Sequence, residues 1–497
     1  MRKSLWAFVV LAMLLPASTT LGNGVADCDF NGDGIGDLAV GAPFEDLSST
    51  ANAGMVTEFR GTVGGPVVDR NWHQNSEGVQ GAPDVDDWFG YAVECGNFDG
   101  DAYQDAAIGV AYDGANLYGS VAILFGGVGG LTNRDQRIYP DLPNFPAFNQ
   151  EAFFGASMAA GDFDGDGFDD LAIGQLLADV GGVVDAGSVT VMYGGVGGLA
   201  IPGSENIYQA KSGVLGAAET NEVFGYYIAA GDTNGDGFDD LAVGSAAEDG
   251  AGQVNVLFGS AGGITFVGDQ LWSQDSTGVF GSAESGDTFG GLIAIGDFTG
   301  DGYGDLAISA QGEDDGFSEN EGMVHTLPGS AAGPTSTESV VMTLDSLNVF
   351  SSDPSFFGAA MDAADVDGDG FADLAIGAPG FGVDDVPFGA VLVRYGTMSG
   401  FESGAQLFTQ ETPGVFGTGQ FHDAFGRVIR FVDLNGDTFL DLTIGVPNDH
   451  VGSVPGAGAV NVLFGTSSGI TTADDIRLDQ GGSNVETGDA FSIVAPL

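Results

Sequence analysis

The feature that most constrains this chain is an acidic segment that recurs along its length. Its clearest copy reads Gly161-Asp162-Phe163-Asp164-Gly165-Asp166-Gly167-Phe168-Asp169-Asp170-Leu171-Ala172-Ile173-Gly174, and related copies begin at Asp29, Asn97, Asp162, Asp232, Asp297, Asp365 and Asp433. Successive starts lie 68, 65, 70, 65, 68 and 68 residues apart, so seven units account for the chain beyond its first residues and leave no segment for an additional domain. Self-similarity at a fixed period means a repeat architecture, in which each unit buries its apolar surface against its neighbours.

Each unit follows one grammar. A Phe-Gly pair opens six of them, as at Phe89-Gly90, Phe154-Gly155, Phe224-Gly225, Phe289-Gly290, Phe357-Gly358 and Phe425-Gly426. A short apolar run leads into the acidic loop, and a second follows it, as in Asp373-Leu374-Ala375-Ile376-Gly377-Ala378-Pro379. A third run alternates, as in Gln253-Val254-Asn255-Val256-Leu257-Phe258, and a glycine turn leads to a fourth around Ile207-Tyr208 or Leu271-Trp272. Runs of this length, bounded by Gly and rich in β-branched and aromatic residues, are strand signals. With Gly at 86 of 497 positions, long helices are disfavoured, since each interior Gly costs about 1 kcal/mol in a helix. The expected fold is therefore all-β: a seven-bladed β-propeller of four-stranded antiparallel blades.

Ring closure is legible too. The C-terminal Gly488-Asp489-Ala490-Phe491-Ser492-Ile493-Val494 matches the opening of unit seven, Asp423-Ala424-Phe425-Gly426-Arg427-Val428, while unit one has only the weak copy Leu21-Gly22. The C-terminal strand is thus expected to complete blade one and pair the sheet edges that would otherwise invite aggregation.

The acidic loops carry the chemistry. Numbered from its first residue, each loop has an oxygen-bearing side chain at positions one, three, five and nine. Loop one offers Asp29, Asn31, Asp33 and Asp37, and loop two Asn97, Asp99, Asp101 and Asp105. Loop three offers Asp162, Asp164, Asp166 and Asp170, and loop four Asp232, Asn234, Asp236 and Asp240. Loop five offers Asp297, Thr299, Asp301 and Asp305, loop six Asp365, Asp367, Asp369 and Asp373, and loop seven Asp433, Asn435, Asp437 and Asp441. Alternate residues of a tight loop point to one centre, and glycine at position four lets the chain wrap. An all-oxygen shell of many carboxylates selects Ca²⁺, whereas Mg²⁺ keeps more water. An EF-hand is disfavoured, because the last ligand is Asp at position nine and a strand, not a helix, follows. Asp-Gly turns without metal are the alternative for any single loop, but seven copies in one context argue for up to seven Ca²⁺ sites. The tightest are expected at loops three and six, and the weakest at two, five and seven, where Ala102, Thr299 and Thr438 interrupt the pattern.

Phe-Gly, then the Asp loop, then Gly-Ala-Pro resembles the FG-GAP repeat of integrin α-subunit propellers. Gly41-Ala42-Pro43 and Gly377-Ala378-Pro379 match the last element, Gly445-Val446-Pro447 is close, and Gly174-Gln175-Leu176, Gly244-Ser245-Ala246 and Ser309-Ala310-Gln311 depart from it. The resemblance implies a seven-bladed propeller with Ca²⁺ in the Asp loops and a role in adhesion or ligand binding; integrin partners do not follow from it. Alternating strands put the Asp loops and glycine turns on one face. The more varied connections, such as residues 44–52, 84–88 and 311–320, fall on the other, where a ligand is expected if one binds.

Charge and targeting set the compartment. Acidic residues outnumber basic ones 70 to 11, a net charge of −59, which repels phosphate backbones and anionic membranes and excludes electrostatic nucleic-acid binding. Met1-Arg2-Lys3 precedes an apolar run over residues 5–15, too short to span a bilayer. The pattern reads as a secretory signal within residues 1–26, cleaved between 17 and 26, leaving a propeller over 27–497. The expected product is a secreted, extracellular or periplasmic monomer with no transmembrane anchor. Cys28 and Cys95 are the only cysteines, and in an exported chain one disulfide between them would tie the N-terminus to blade two; two free buried thiols are the alternative.

Catalytic signatures are weak, and no enzyme is expected. The histidines, His73, His325, His422 and His450, form no zinc-protease motif. Gly465-Thr466-Ser467-Ser468-Gly469 has the spelling of a nucleophile elbow but occupies the turn that reads Gly126-Gly127-Val128-Gly129-Gly130 in a sister unit. Trp72, Trp88 and Trp272 could stack on sugars, yet a strand or core role fits better. The favoured function is a Ca²⁺-dependent adhesion or binding module for an extracellular protein or glycan. The alternatives are a polysaccharide lyase-like enzyme on a propeller scaffold and, more weakly, a purely structural surface protein.

Overall fold

The computed structural model describes residues 28–113, 118–140, 153–314, 320–351, 354–383, 386–480, 491 and 493–494. The signal segment, the weak Leu21-Gly22 copy and part of the 311–320 connection lie outside the described residues.

The structure has seven four-stranded antiparallel sheets, of which blades two to seven are simple meanders in chain order. Blade two is Phe89–Gly96, Asp105–Val110, Ser120–Leu124 and Asp135–Ile138, and blade three is Phe154–Gly161, Asp170–Gln175, Ser188–Tyr193 and Ala200–Ile207. Blade four is Tyr227–Gly231, Asp240–Ser245, Gln253–Phe258 and Thr265–Trp272, and blade five Phe289–Gly296, Asp305–Ala310, Met323–Leu327 and Val340–Met342. Blade six is Ala360–Ala364, Asp373–Ala378, Ala390–Arg394 and Gln406–Phe408, and blade seven Val428–Val432, Asp441–Val446, Ala459–Leu463 and Ile476–Leu478. Among the described residues the only helices are 3-10 turns at Glu248–Gly250 and Asp345–Leu347.

Burial follows from this stacking. In blades two to seven the first and second strands are buried along both faces because neighbouring blades sandwich them, which is why they read as continuous apolar runs. The fourth strand, at the rim, is largely exposed or half-buried, as over Ala200–Ile207 and Thr265–Trp272.

The Phe-Gly pair is the hinge between blades. Each opening Phe donates its backbone N–H to the previous blade: Phe89 to Ala53 O at 3.0 Å, Phe224 to Ala186 O at 2.9 Å and Phe425 to Phe388 O at 2.9 Å. The glycine that follows takes a positive φ, 86° at Gly90. Backbones of adjacent blades then meet so closely that a Cβ on Gly109 would stand 2.0 Å from Gly155 O, and one on Gly377 2.1 Å from Gly426 O. Small residues at both elements are therefore a packing requirement.

Blade one is Leu38–Ala42, Met55–Arg60 and Val67–Trp72, completed by Ile493–Val494 from the C-terminus, with Val40 opposite Val494 and Gly41 opposite Ile493. Buried Phe491 repeats the Phe-Gly contact at the seam, donating to Ala457 O of blade seven at 3.1 Å. The expected ring closure is therefore seen.

Cys28 and Cys95 form a disulfide with Cα atoms 5.9 Å apart, within normal bridging distance, so the start of blade one is tied to the inner strand of blade two. Trp72 is buried and donates from Nε1 to Glu58 Oε2 at 2.8 Å, and Trp88 stacks on Tyr91. The Gly465–Gly469 segment is the expected turn, with Gly469 N–H bonded to Thr466 O at 2.8 Å. His325 sits in the core of blade five against Phe289, away from any surface chemistry.

Candidate metal centre

The Asp loops join the first and second strands on one face of the ring. Their conformation is set by their own carboxylates. In loop three, Asp162 Oδ1 accepts the N–H groups of Gly165 and Asp166 at 2.7 and 3.1 Å, and Oδ2 accepts that of Gly167 at 3.0 Å. The same pattern holds Asp365 in loop six, to Gly368, Asp369 and Gly370. Position six takes a left-handed backbone in every loop but the second, where it is Ala102: Gly167 has φ 89° and Gly370 93°, while Thr438 is forced to 75° in loop seven. Such a conformation is unfavourable for a β-branched side chain.

The ninth residue opens the second strand and points back under the loop. Asp170 accepts from Phe163 N at 2.9 Å and from Gly194 N at 2.8 Å, which clamps the glycine turn after the third strand beneath the loop. Asp373 does the same with Val366 and Gly396. Burial pushes these carboxyls up, to about 7 at Asp37, Asp105, Asp240 and Asp305 and to about 8 at Asp170, Asp373 and Asp441. Their backbone N–H bonds oppose the rise and the other loop carboxylates add to it.

Two loops gather three carboxylates into a common centre. Ligand oxygens of Asp162, Asp164 and Asp170 in loop three, and of Asp365, Asp367 and Asp373 in loop six, lie within 4.8 Å of one another. These are acidic clusters of a size that a metal ion can span. Position five stands outside both trios: Asp166 and Asp369 bond through Oδ1 to the N–H groups of Phe168 and Phe371, each at 3.0 Å.

The remaining loops differ. Where position three is Asn, its amide nitrogen faces the ninth residue: Asn31 Nδ2 lies 3.1 Å from Asp37 Oδ2, and Asn234 and Asn435 stand 3.4 Å from Asp240 and Asp441. In loop five, Thr299 Oγ1 lies 3.5 Å from Asp297. Loop two departs furthest, because Arg134 from the end of the glycine turn forms an ion pair with Asp99 and supplies a positive charge from within the chain. Asn97 there turns its amide to Asp101 O at 3.0 Å.

Sequence reading missed one contributor. The residue before the ninth position reaches back to the preceding blade: Asp239 Oδ2 accepts Asp162 N–H at 2.9 Å, and Asp169 accepts Asn97 N–H at 2.6 Å. Burial pushes Asp239 up to about 7, with Asp162 and Asp169 adding to the rise. The doubled Asp-Asp before Leu171 and Leu241 was the available signal.

The FG-GAP repeat family model matches residues 22–59, 154–192, 224–257, 289–327 and 357–393. Five of the seven units are thus FG-GAP repeats, carried on a seven-bladed propeller. Blades two and seven fall outside those matches yet have the same four-stranded order as the matched blades. Relatives include integrin alpha-PS2 of Drosophila melanogaster, 30% identical over 274 residues, covering 51% of this chain and 17% of that protein. Integrin alpha-5 of Xenopus laevis is 34% identical over 244 residues, 47% of this chain and 21% of its own length. Integrin alpha-V of Gallus gallus is 32% identical over 264 residues, 51% and 22% respectively. The chain thus spans about a fifth of the length of these relatives. Among solved structures, the rhamnogalacturonan lyase YesW aligns with a TM-score of 0.38 and 12% identity over 96% of this chain and 76% of that one, a likeness too loose to carry a functional argument.

Proposed function

We propose that this FG-GAP propeller is a secreted calcium-binding module that acts in adhesion or ligand recognition, with a protein or glycan partner, and not as an enzyme. The observation that carries the calcium reading is the convergence of three carboxylates in loops three and six, the two loops with Asp at all four ligand positions. An ion there would be held by Asp162, Asp164 and Asp170, or by Asp365, Asp367 and Asp373, with Asn, Thr and Asp oxygens of the other loops forming weaker versions. Hard oxygen donors in a flexible loop suit Ca²⁺. When bound, the ion neutralises clustered negative charge. The loop carboxylates then brace the hairpin between the first and second strands, and position nine locks the glycine turn to it.

The binding reading draws on the likeness to integrin α propellers and on the exposed connections of the opposite face. The Cys28–Cys95 disulfide fits an oxidising compartment, and no helix among the described residues is long and apolar enough to cross a membrane.

Calorimetry tests the metal. Millimolar Ca²⁺ is expected to raise Tm and a chelator to reverse it, with the shift reduced in Asp164→Asn and Asp367→Asn; a Tm indifferent to chelator would count against the sites. A glycan and matrix-protein binding screen with and without Ca²⁺, run beside a polysaccharide-degradation assay, tests the activity. Turnover that survives purification and is lost on His substitution would favour the enzyme.

A further inference from the structure

One glutamine of the outer strand fastens several blades to the next. In blade two Gln136, opposite Ile123, donates from Nε2 to Leu199 O at 2.7 Å and accepts Leu199 N–H at 3.1 Å, which ties it to the glycine turn of blade three. Gln270, opposite Val256, and Gln406, opposite Val393, donate to Ala332 O and Ile470 O of the following turns, each at 2.8 Å. A neutral amide offers both the donor and the acceptor that such a turn can use.

Blade one departs from this pattern. The same register there sets Arg70 opposite Glu58. Glu58 is 1% exposed; its Oε1 accepts Leu131 N–H of the blade-two turn at 2.8 Å, and its Oε2 accepts Trp72 Nε1–H at 2.8 Å. The carboxylate has thus taken over the clamp. Arg70 lies over the Trp72 ring, 4.9 Å from its centroid, and makes one long hydrogen bond, to Leu131 O at 3.4 Å. Its guanidinium is exposed and, among the described residues, has no carboxylate within ion-pair distance. The other exposed arginine, Arg134, is paired with Asp99. In a chain with 70 acidic and 11 basic residues, an exposed arginine left without an acid stands out.

At this departure the junction opens into a cavity of about 550 Å³, within the range of about 300–1,000 Å³ usual for small-ligand sites. Its wall is mostly polar: Arg70 comes from the outer strand, His73, Ser76 and Glu77 from the turn after it, and Thr132 and Asn133 from blade two. His73 Nδ1 accepts Asn75 N–H at 3.1 Å, and burial lowers the pKa of the ring, so the neutral imidazole carries its proton on Nε2 and donates from there. An apolar ligand would leave these groups unpaired. Donors and acceptors of this kind around one uncommitted guanidinium suit a ligand with many hydroxyls and one carboxylate.

We propose that the junction of blades one and two binds a carboxylate-bearing saccharide, a uronic acid residue, with Arg70 pairing with the carboxylate and the polar wall taking the hydroxyls. A guanidinium meets a carboxylate through two parallel N–H bonds, a geometry that a hydroxyl does not offer. Glu77 accepts from hydroxyls and disfavours a second carboxylate on its side. The inference rests on the glycan reading above and adds to it the ligand class and the site.

The test is isothermal titration of the full chain with a uronic acid trisaccharide and with the same trisaccharide after reduction of its carboxyl groups to alcohols. The acidic form is expected to bind, and the reduced form about tenfold more weakly or worse, the loss of one charge-assisted pair. Arg70→Gln installs the glutamine of blades two, four and six, so it should keep the parent's Tm while lowering affinity for the acidic form alone. Equal binding of the two saccharides, preference for an aspartate-rich peptide over both, unchanged affinity in Arg70→Gln, or no binding at all would overturn the proposal. The glycan and matrix-protein screen, repeated on Arg70→Gln, separates the two readings. A partner held alike by parent and variant leaves the adhesion module standing and removes this site from it.

Discussion

Single residues in this propeller are constrained by what neighbouring blades bring against them. Arg430 and Asp362 come from the inner strands of blades seven and six and form an ion pair of 3.1 Å, both nearly inaccessible; Asp362 Oδ2 also accepts Phe431 N–H at 2.7 Å. Removing one partner strands the other charge in the core, so Asp362→Ala should lower stability by about 3–5 kcal/mol, measured by denaturant unfolding. His325 is buried neutral, and burial pulls its pKa down to about 4 from an ordinary 6.5. The unfolded chain therefore binds a proton between those values that the folded chain refuses. The stability this residue contributes is complete above pH 6.5 and falls as pH drops toward 4, by roughly 3 kcal/mol in all. His325→Leu should flatten that part of the pH profile relative to the parent, and parallel profiles would refute the assignment.

At the scale of the element, the hairpin around each Asp loop is the unit that repeats, and its variation is instructive. Position nine keeps its backbone bonds in loops with three or four carboxylates alike, and position one keeps its own wherever it is Asp, whereas Asn97 of loop two turns its amide to Asp101 O instead. The bonds of position nine therefore hold the hairpin even in loop two, where Arg134 pairs with Asp99 and position one has changed its contacts. The disulfide acts on the same scale. It closes a 67-residue separation between the first and second hairpins, for which chain-entropy arguments give about 4 kcal/mol. Reduction, or Cys95→Ala, should lower Tm accordingly without altering ion binding at loops three and six; a Tm unmoved by reduction would show that the bridge contributes little.

For the whole molecule the ring is closed by very little chain. Ile493–Val494 supplies the inner strand of blade one, and Phe491 fills the seam against Phe59. Without them Leu38–Ala42 would present an open edge. Deletion of residues 487–497 should therefore produce aggregation or a large fall in Tm in light scattering and calorimetry. A truncated chain as stable and monomeric as the parent would contradict this role.

The number of blades, their strand order and the seam at the C-terminus were readable from residues alone, because each depends on a pattern within one period: Phe-Gly, the Asp loop and the alternating third strand. The ligand positions of the loops were readable for the same reason, since residues one to nine of Asp162–Asp170 are local in sequence. What the tertiary structure decided were contacts between one period and the next. Arg134 entering loop two, Asp239 capping Asp162, the pairing of Cys28 with Cys95 and the clamp of Glu58 and Arg70 on Leu131 each join residues from different hairpins or blades. Periodicity fixes which residues recur, but only the angle at which adjacent blades pack determines which side chains are buried together, and burial sets whether a charge needs a partner.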